Sequence, residues 1–200
     1  MDKQKALFIT IEGPNGIGKT ALTKELVNKL LQLNLKVYKT KEPTLSLLGS
    51  FLRKAEEIYR KETLACLAAA DRYFHLKKEI LPELSKGKIV ISDRYIESSL
   101  VLQNLDGLEF EFIWLLNNRI RIPDMSVVLI ALPEIIEERL RQRKRYSRFE
   151  RTRTRTDEVK VYQKACKFLS DKGFNVLILE NGTTSLSQNI EKVTQKILEL

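Results

Sequence analysis

Residues 13–20 read Gly-Pro-Asn-Gly-Ile-Gly-Lys-Thr, the spacing G-x-x-x-x-G-K-[ST]. Glycines at 13, 16 and 18 let the backbone curl so that several N–H groups converge on one anion. In such a loop the lysine, here Lys19, reaches the β- and γ-phosphates of a nucleotide, and the hydroxyl of Thr20 is a ligand for Mg²⁺. The apolar run Ala6–Ile11 precedes the loop and a helical pattern from Ala21 to Leu33 follows it, which is the context the motif requires. The positive end of that helix falls on the same phosphates. The expected ATP contacts are therefore Gly13, Pro14, Asn15, Gly16, Ile17, Gly18, Lys19, Thr20 and Ala21. This narrows the question to what receives the phosphoryl group.

A second group of chemistry-bearing residues is Asp93-Arg94-Tyr95, reached from the apolar run Ile89–Ser92. The carboxylate can hold Mg²⁺ through water, and the guanidinium offers a planar fork to a second phosphate. A mechanical ATPase would end this strand in Asp-Glu, and a GTPase switch would carry Asn-Lys-x-Asp. Neither is present. A third group is basic. Arg139, Arg141, Arg143, Lys144, Arg145, Arg148, Arg151, Arg153 and Arg155 face the single acid Glu150 within residues 139–155. In a chain of net charge +9, such a one-sided run reads as a footprint for a polyanion, either nucleotide phosphates or nucleic acid.

The elements that must position these residues alternate. Strands are expected at 6–11, 35–40, 88–92, 125–131 and 174–179, aliphatic throughout as strands buried on both faces should be. Helices are expected at 18–33, 46–59, 63–85, 96–104, 109–121, 133–146, 157–172 and 186–199, with Asn34, Gly87 and Gly173 as left-handed ends before strands. This pattern predicts an α/β fold with a five-stranded parallel sheet covered on both faces, whose ligands gather at the carboxyl ends of the strands. The loops after residues 11, 40, 92, 131 and 179 should then meet at one site. The run Arg151–Thr156 reads as a hinge into the helix after it.

Two hundred residues suit one domain, 1–200. No run approaches the ~18 apolar residues of a membrane span, and Met1–Lys5 leads straight into the first strand without a signal peptide, so a cytoplasmic protein is expected. Cys66 and Cys166 are expected as buried free thiols, and His75, the only histidine, as structural.

Taken together, the chain resembles the thymidylate kinase family of nucleoside monophosphate kinases. The resemblance runs through Glu12-Gly13…Gly18-Lys19-Thr20, Lys41-Glu42-Pro43-Thr44, Ala69-Ala70-Asp71-Arg72, Asp93-Arg94-Tyr95 with Ser98-Ser99 and Gln103, Pro123-Asp124, and Arg148-Phe149-Glu150 before Tyr162. It implies a three-layer P-loop NTPase fold with a basic lid at about 141–150. It also implies phosphorylation of dTMP to dTDP by ATP with Mg²⁺, in a homodimer. Carried over, Lys19 and the loop amides hold ATP, while Thr20 and Asp93 serve the metal. Arg94 grips the acceptor monophosphate, Arg72 meets its base, and Asn15, Lys41, Glu42, Ser98 and Ser99 complete the acceptor site. The loop lacks an arginine of its own, which resembles the subgroup whose catalytic arginines come from the lid, so Arg141, Arg143, Arg145 or Arg148 should supply that charge.

Three positions depart from the family pattern. Asn15 stands where an acid usually binds the acceptor 3′-hydroxyl. Ala68 stands where a Phe usually stacks on thymine, so a ring should come from elsewhere, Tyr73 or Phe74. Leu102 replaces a Tyr that screens out a 2′-hydroxyl. Relaxed acceptor choice is the expectation. Two other readings of the residues remain: a P-loop protein that clamps nucleic acid with 139–155, and a deoxynucleoside kinase, although such enzymes carry Glu-Arg-Ser where Asp93-Arg94-Tyr95 stands.

Overall fold

The computed structural model describes residues 4–142, 146 and 148–200. Its strands are β1 (Leu7–Glu12), β2 (Val37–Lys41), β3 (Ile89–Asp93), β4 (Met125–Ile130) and β5 (Val176–Glu180). The helices are α1 (Lys19–Gln32), α2 (Leu47–Ile58), α3 (Lys61–His75), α4 (Leu81–Ser85), α5 (Ile96–Leu105), α6 (Phe110–Asn117), α7 (Pro133–Arg141), α8 (Arg148–Thr152), α9 (Arg155–Asp171) and α10 (Leu186–Leu198). The strands lie in the order β2-β3-β1-β4-β5 and every pairing is parallel. The sheet is the predicted one, and its order is that of the P-loop NTPase α/β fold.

Side-chain alternation explains the layers. Leu7, Ile9 and Ile11 of β1 pack with Leu22, Leu26 and Leu30 of α1 and with Val193 and Ile197 of α10. Phe8, pointing the other way, packs with Tyr95, Leu100 of α5 and Tyr162 of α9. The α1 leucines are fully buried at a four-residue spacing, and each contributes ~1.5–3 kcal/mol relative to exposure. A third, smaller cluster joins Leu52 and Ala55 of α2 to Leu64 and Ala68 of α3 and Phe149 of α8.

The expected helix 63–85 is interrupted by a π-helical turn at Leu76–Ile80. Pro82 lacks an N–H, and its ring crowds the carbonyl of Lys78, so the chain takes up the mismatch one turn earlier. The expected helix 133–146 ends at Arg141, and 157–172 is preceded by the separate helix α8. Thr154 caps α9 by accepting a hydrogen bond from the Asp157 amide at 3.1 Å, which starts that helix inside the supposed hinge. Asn34, Gly87 and Gly173 have φ of 59°, 75° and 89°, the left-handed ends that were expected. Cys166 is buried, and burial pushes its thiol up to about 12. Cys66 is exposed, because it lies on the solvent side of α3, contrary to expectation. Among the described residues no helix is long and apolar enough to cross a membrane.

Candidate active site

Two cavities open at the carboxyl edge of the sheet and share three residues: Asn15, Glu42 and Arg94. The first, about 460 Å³, is lined by the loop after β1 (Gly16, Gly18, Lys19, Thr20, Ala21) and by Lys41 and Asp93. Gly13 is obligatory here. At φ +137° a Cβ would stand 2.4 Å from the Leu129 carbonyl, so only glycine lets the loop lie against β4. Lys19 is 6% exposed and curls back, donating to the carbonyls of Gly13 at 2.7 Å and Pro14 at 2.9 Å. Burial, reinforced by the nearby Arg94 charge, brings its ammonium down to about 7. Ile17 is fully buried, and its carbonyl accepts from Arg139 at 3.1 Å and from the Asn181 side chain at 2.6 Å.

The Thr20 hydroxyl donates to the Asp93 carboxylate at 2.8 Å. These are two hard oxygen donors at the phosphate end of the cavity. They fit Mg²⁺, which takes one or two protein oxygens and fills its octahedron with phosphates and water.

The second cavity, about 290 Å³, is framed by α2, α3, α5 and α8. At its mouth Arg94 donates to the Ser98 hydroxyl at 2.9 Å and to the side-chain oxygen of Asn15. Arg94 has φ +84°, a conformation uncommon for a residue with a side chain. Its amide is held by the Ile11 carbonyl at 3.0 Å, so the strained backbone directs the guanidinium across the sheet edge. Burial opposes its charge, but Tyr162, Glu12, Asp93 and Glu158 together raise its pKa. Glu12, fully buried at the end of β1, organises the turn by accepting from the Tyr95 amide at 2.5 Å and the Ser98 hydroxyl at 2.9 Å. Its carboxyl is pushed up by burial, with Arg94 and Lys19 opposing.

Deeper in, Arg72 is 3% exposed and fully engaged. It donates to Glu42 at 3.0 Å, Asn117 at 2.7 Å, the Tyr95 carbonyl at 3.0 Å and the Ser99 hydroxyl at 2.8 Å. Gln103 is buried beside it with its Oε1 unpartnered. His75 is structural, as expected: its fully buried ring sits between Glu42 at 3.1 Å and Thr40 at 2.7 Å.

The predicted site residues thus separate into two shells. Asn15, Glu42, Arg72, Arg94, Ser98 and Ser99 surround the second cavity, whereas Lys41 lines the first. The ring expected from Tyr73 or Phe74 does not come from either. Phe74 is 37% exposed, and the Tyr73 hydroxyl accepts from the Arg119 amide on the outside of the cavity. Phe149 of α8 lines the cavity instead. Leu52, Arg53 and Glu56 also line it and were missed. Their signal was the i, i+1, i+4 grouping on one side of α2. Burial raises the Glu56 carboxyl.

Among the described residues of the basic run, Arg148, Arg151, Arg153 and Arg155 find acidic partners outside it. Arg148 forms a two-pronged pair with Asp106 at 2.8 and 2.6 Å, with both side chains buried. Arg148 was expected as one candidate for the catalytic charge, and here its guanidinium is paired with Asp106. Arg155, 4% exposed, pairs with Glu158 at 2.5 Å and donates to the carbonyls of Phe149, Glu150 and Arg153. Glu158 in turn accepts from the Asn15 amide at 3.0 Å. Arg141 is exposed, while Arg143 and Arg145 lie outside the described residues.

A glycine-rich loop at the edge of a parallel sheet, joined through an arginine to a nucleotide-sized cavity, defines the class of P-loop nucleotide kinases. The chain matches the family described as thymidylate kinase over residues 11–197, and it belongs to that family. It is 32% identical to a probable thymidylate kinase of Staphylothermus marinus, covering 96% of both chains. It is 36% identical to a probable thymidylate kinase of Caldivirga maquilingensis over 72% of this chain and 73% of that one. It is 37% identical to a thymidylate kinase of Leptospira interrogans, again over 72% and 73%.

Proposed function

We propose that the protein transfers the γ-phosphoryl group of ATP to the 5′-phosphate of dTMP, releasing ADP and dTDP. The observation that carries this is Arg94, which with Asn15 and Glu42 lies in the wall common to both cavities. A phosphate held there has one side toward the loop that grips ATP and the other toward a chamber fit for a nucleoside. The acceptor oxygen belongs to a phosphate, so no strong base is required and the protein's work is positioning and charge neutralisation.

In this reading Lys19 and the loop amides hold the donor phosphates, and Thr20 and Asp93 hold Mg²⁺, which neutralises donor charge when bound. Arg94 and Ser98 orient the acceptor phosphate. Arg72, itself immobilised, fixes the base end with Ser99. The further positive charge for transfer comes from the lid through Arg141, Arg143 or Arg145, since Arg148 is committed to Asp106. Relaxed selectivity falls on the sugar, because Asn15 and Leu102 are the altered sugar-side positions. A cytoplasmic homodimer completes the proposal. Exposed Leu47, Phe51 and Ile58 on α2 support self-association, and the free thiols support a reducing compartment. The family, together with the ion pairs of Arg148 and Arg155, favours neither a nucleic-acid clamp nor a deoxynucleoside kinase.

The test is coupled ADP release with ATP, Mg²⁺ and a panel of deoxy- and ribonucleoside monophosphates, with Lys19→Ala as the blank. Turnover of dTMP and of its ribose counterpart, without turnover of thymidine, is expected. Turnover of thymidine but not dTMP, or none with any monophosphate, overturns the reading. A strict preference for dTMP removes only the relaxed sugar choice.

A further inference from the structure

The acceptor cavity has apolar lining residues in Leu52, Ala68 and Leu102, and two aromatic residues, Tyr95 and Phe149, line it. Tyr95 is engaged already. Its ring is fully buried, the edge of Phe8 meets it at 5.0 Å between centroids, and the Arg72 guanidinium covers it at 5.5 Å. Phe149 is buried as well, at 3% exposed, but against other partners. It comes from the short helix α8, in the segment that follows the basic run, and shares an apolar cluster with Leu52, Leu64 and Ala68. Ala68 also lines the cavity, and its single methyl group leaves the space beside α3 open.

The Phe149 ring is held as a platform is held. The Arg148 guanidinium lies over it at 3.9 Å from the centroid, and that guanidinium is pinned to Asp106 by two hydrogen bonds and to the Glu56 carbonyl by a third at 2.9 Å. Arg148 does not line the cavity, whereas the ring it covers does. A guanidinium stacked behind a phenyl ring fixes its tilt, since rotation would break the cation–π contact and crowd the apolar cluster. Gln103 lines the same cavity, and its buried Oε1 has no partner, an acceptor suited to an N–H on the edge of a planar base.

We propose that Phe149 is the stacking platform for the base of the acceptor nucleotide, and that Arg148 and Asp106 are positioning residues that hold the ring from behind. The stacking ring is thereby supplied by the lid-proximal helix α8, while α3 keeps the polar contact through Arg72. This rests on the reading of the cavity as the acceptor site. It adds that the base wall and the basic segment preceding it are one covalent unit.

The experiment measures steady-state kinetics and calorimetric dTMP binding for Phe149→Leu, Phe149→Ala, Phe149→Trp, Ala68→Phe and the Ala68→Phe/Phe149→Ala pair. Loss of base stacking should raise the dTMP KM and dissociation constant about 10- to 100-fold in Phe149→Leu, which keeps the apolar volume, with the ATP KM within about twofold. Phe149→Trp should restore affinity. Ala68→Phe alone should impair binding by overfilling the cluster, and the pair should recover much of the loss, because a ring then returns from the opposite wall. If Phe149→Ala does not fold, the leucine and tryptophan variants decide. Wild-type dTMP affinity in Phe149→Leu, or additive losses in the pair, overturns the proposal while leaving the kinase reading intact. No monophosphate binding by the unaltered protein overturns both.

Discussion

Arg94 and Asn15 are joined side chain to side chain at the point where the donor and acceptor cavities meet. The arginine reaches that point only because its backbone adopts φ +84° at the end of β3. Asn15 reaches it because Glu158 holds its amide. Replacing Asn15 by alanine removes a charge-assisted hydrogen bond but leaves Ser98 in place. The KM for dTMP should rise about tenfold and that for ATP should change less than about twofold. An effect confined to ATP would count against the assignment of Arg94 to the acceptor.

Asp106 and Arg148 form a buried ion pair between α8 and the end of α5, with side chains 3% and 7% exposed. Asp106→Asn leaves a buried guanidinium without its counter-charge, a change that costs ~3–5 kcal/mol in comparable pairs. For a chain of this length the melting temperature should fall by about 10 °C, readable by calorimetry. Conversion of both residues to apolar ones of similar volume should lose far less. If the single change leaves the melting temperature unaltered, the pair is not structural.

Donor binding should depend on pH through Lys19. Its pKa near 7 in the free protein arises first from burial and then from Arg94, so the lysine loses its proton as pH rises past 7. The value of kcat/KM for ATP should therefore decline above about pH 7. At saturating ATP the phosphates restore the charge and kcat should stay flat over the same range. The stability effect has the opposite sense. The unfolded lysine binds its proton up to about pH 10.5, so the native state is relieved of a buried charge between pH 7 and 10.5 and stability rises there.

Glu97 works against this trend at lower pH. It is fully buried on α5, with Ser126 and Thr10 donating to Oε1 and Oε2 unpartnered, and burial, then Glu12, pushes its carboxyl to about 8. The native state holds a proton that the unfolded chain releases above about 4.5, so Glu97 lowers stability progressively from pH 4.5 to 8. Glu97→Gln keeps the neutral shape. Its melting temperature relative to the unaltered protein should climb between pH 5 and 8.5, and parallel melting curves would show that Glu97 does not titrate there.

The parts of this molecule legible in sequence are those governed by local chemistry. The loop at 13–20 and the Asp93-Arg94-Tyr95 turn carry their geometry in residue type, and the aliphatic strands announce a buried parallel sheet. Long-range pairing was not legible. Arg148 read as a member of a basic run because its partner Asp106 lies 42 residues before it, whereas the Arg155–Glu158 pair is local, three residues apart in α9. Phe149 is one apolar residue between charges in sequence, and only the packing of α8 on α2 and α3 makes it a cavity wall. The π-helical turn before Pro82 was within reach, because the proline that forces it stands in the sequence, but apolar periodicity alone does not report it.

The contacts of Arg155 and Glu158 have a consequence for the order of events. Glu158 ties α9 to the amide of Asn15 in the phosphate loop, and Arg155 ties α9 to the carbonyls beside Phe149. The two substrates therefore bear on opposite ends of a single lever. Binding at one end is expected to favour binding at the other, and linkage makes the factor the same in both directions. Calorimetry of dTMP with and without a non-hydrolysable ATP analogue should reveal that shared factor. Glu158→Gln should bring it toward one, turning a cooperative encounter into two independent ones.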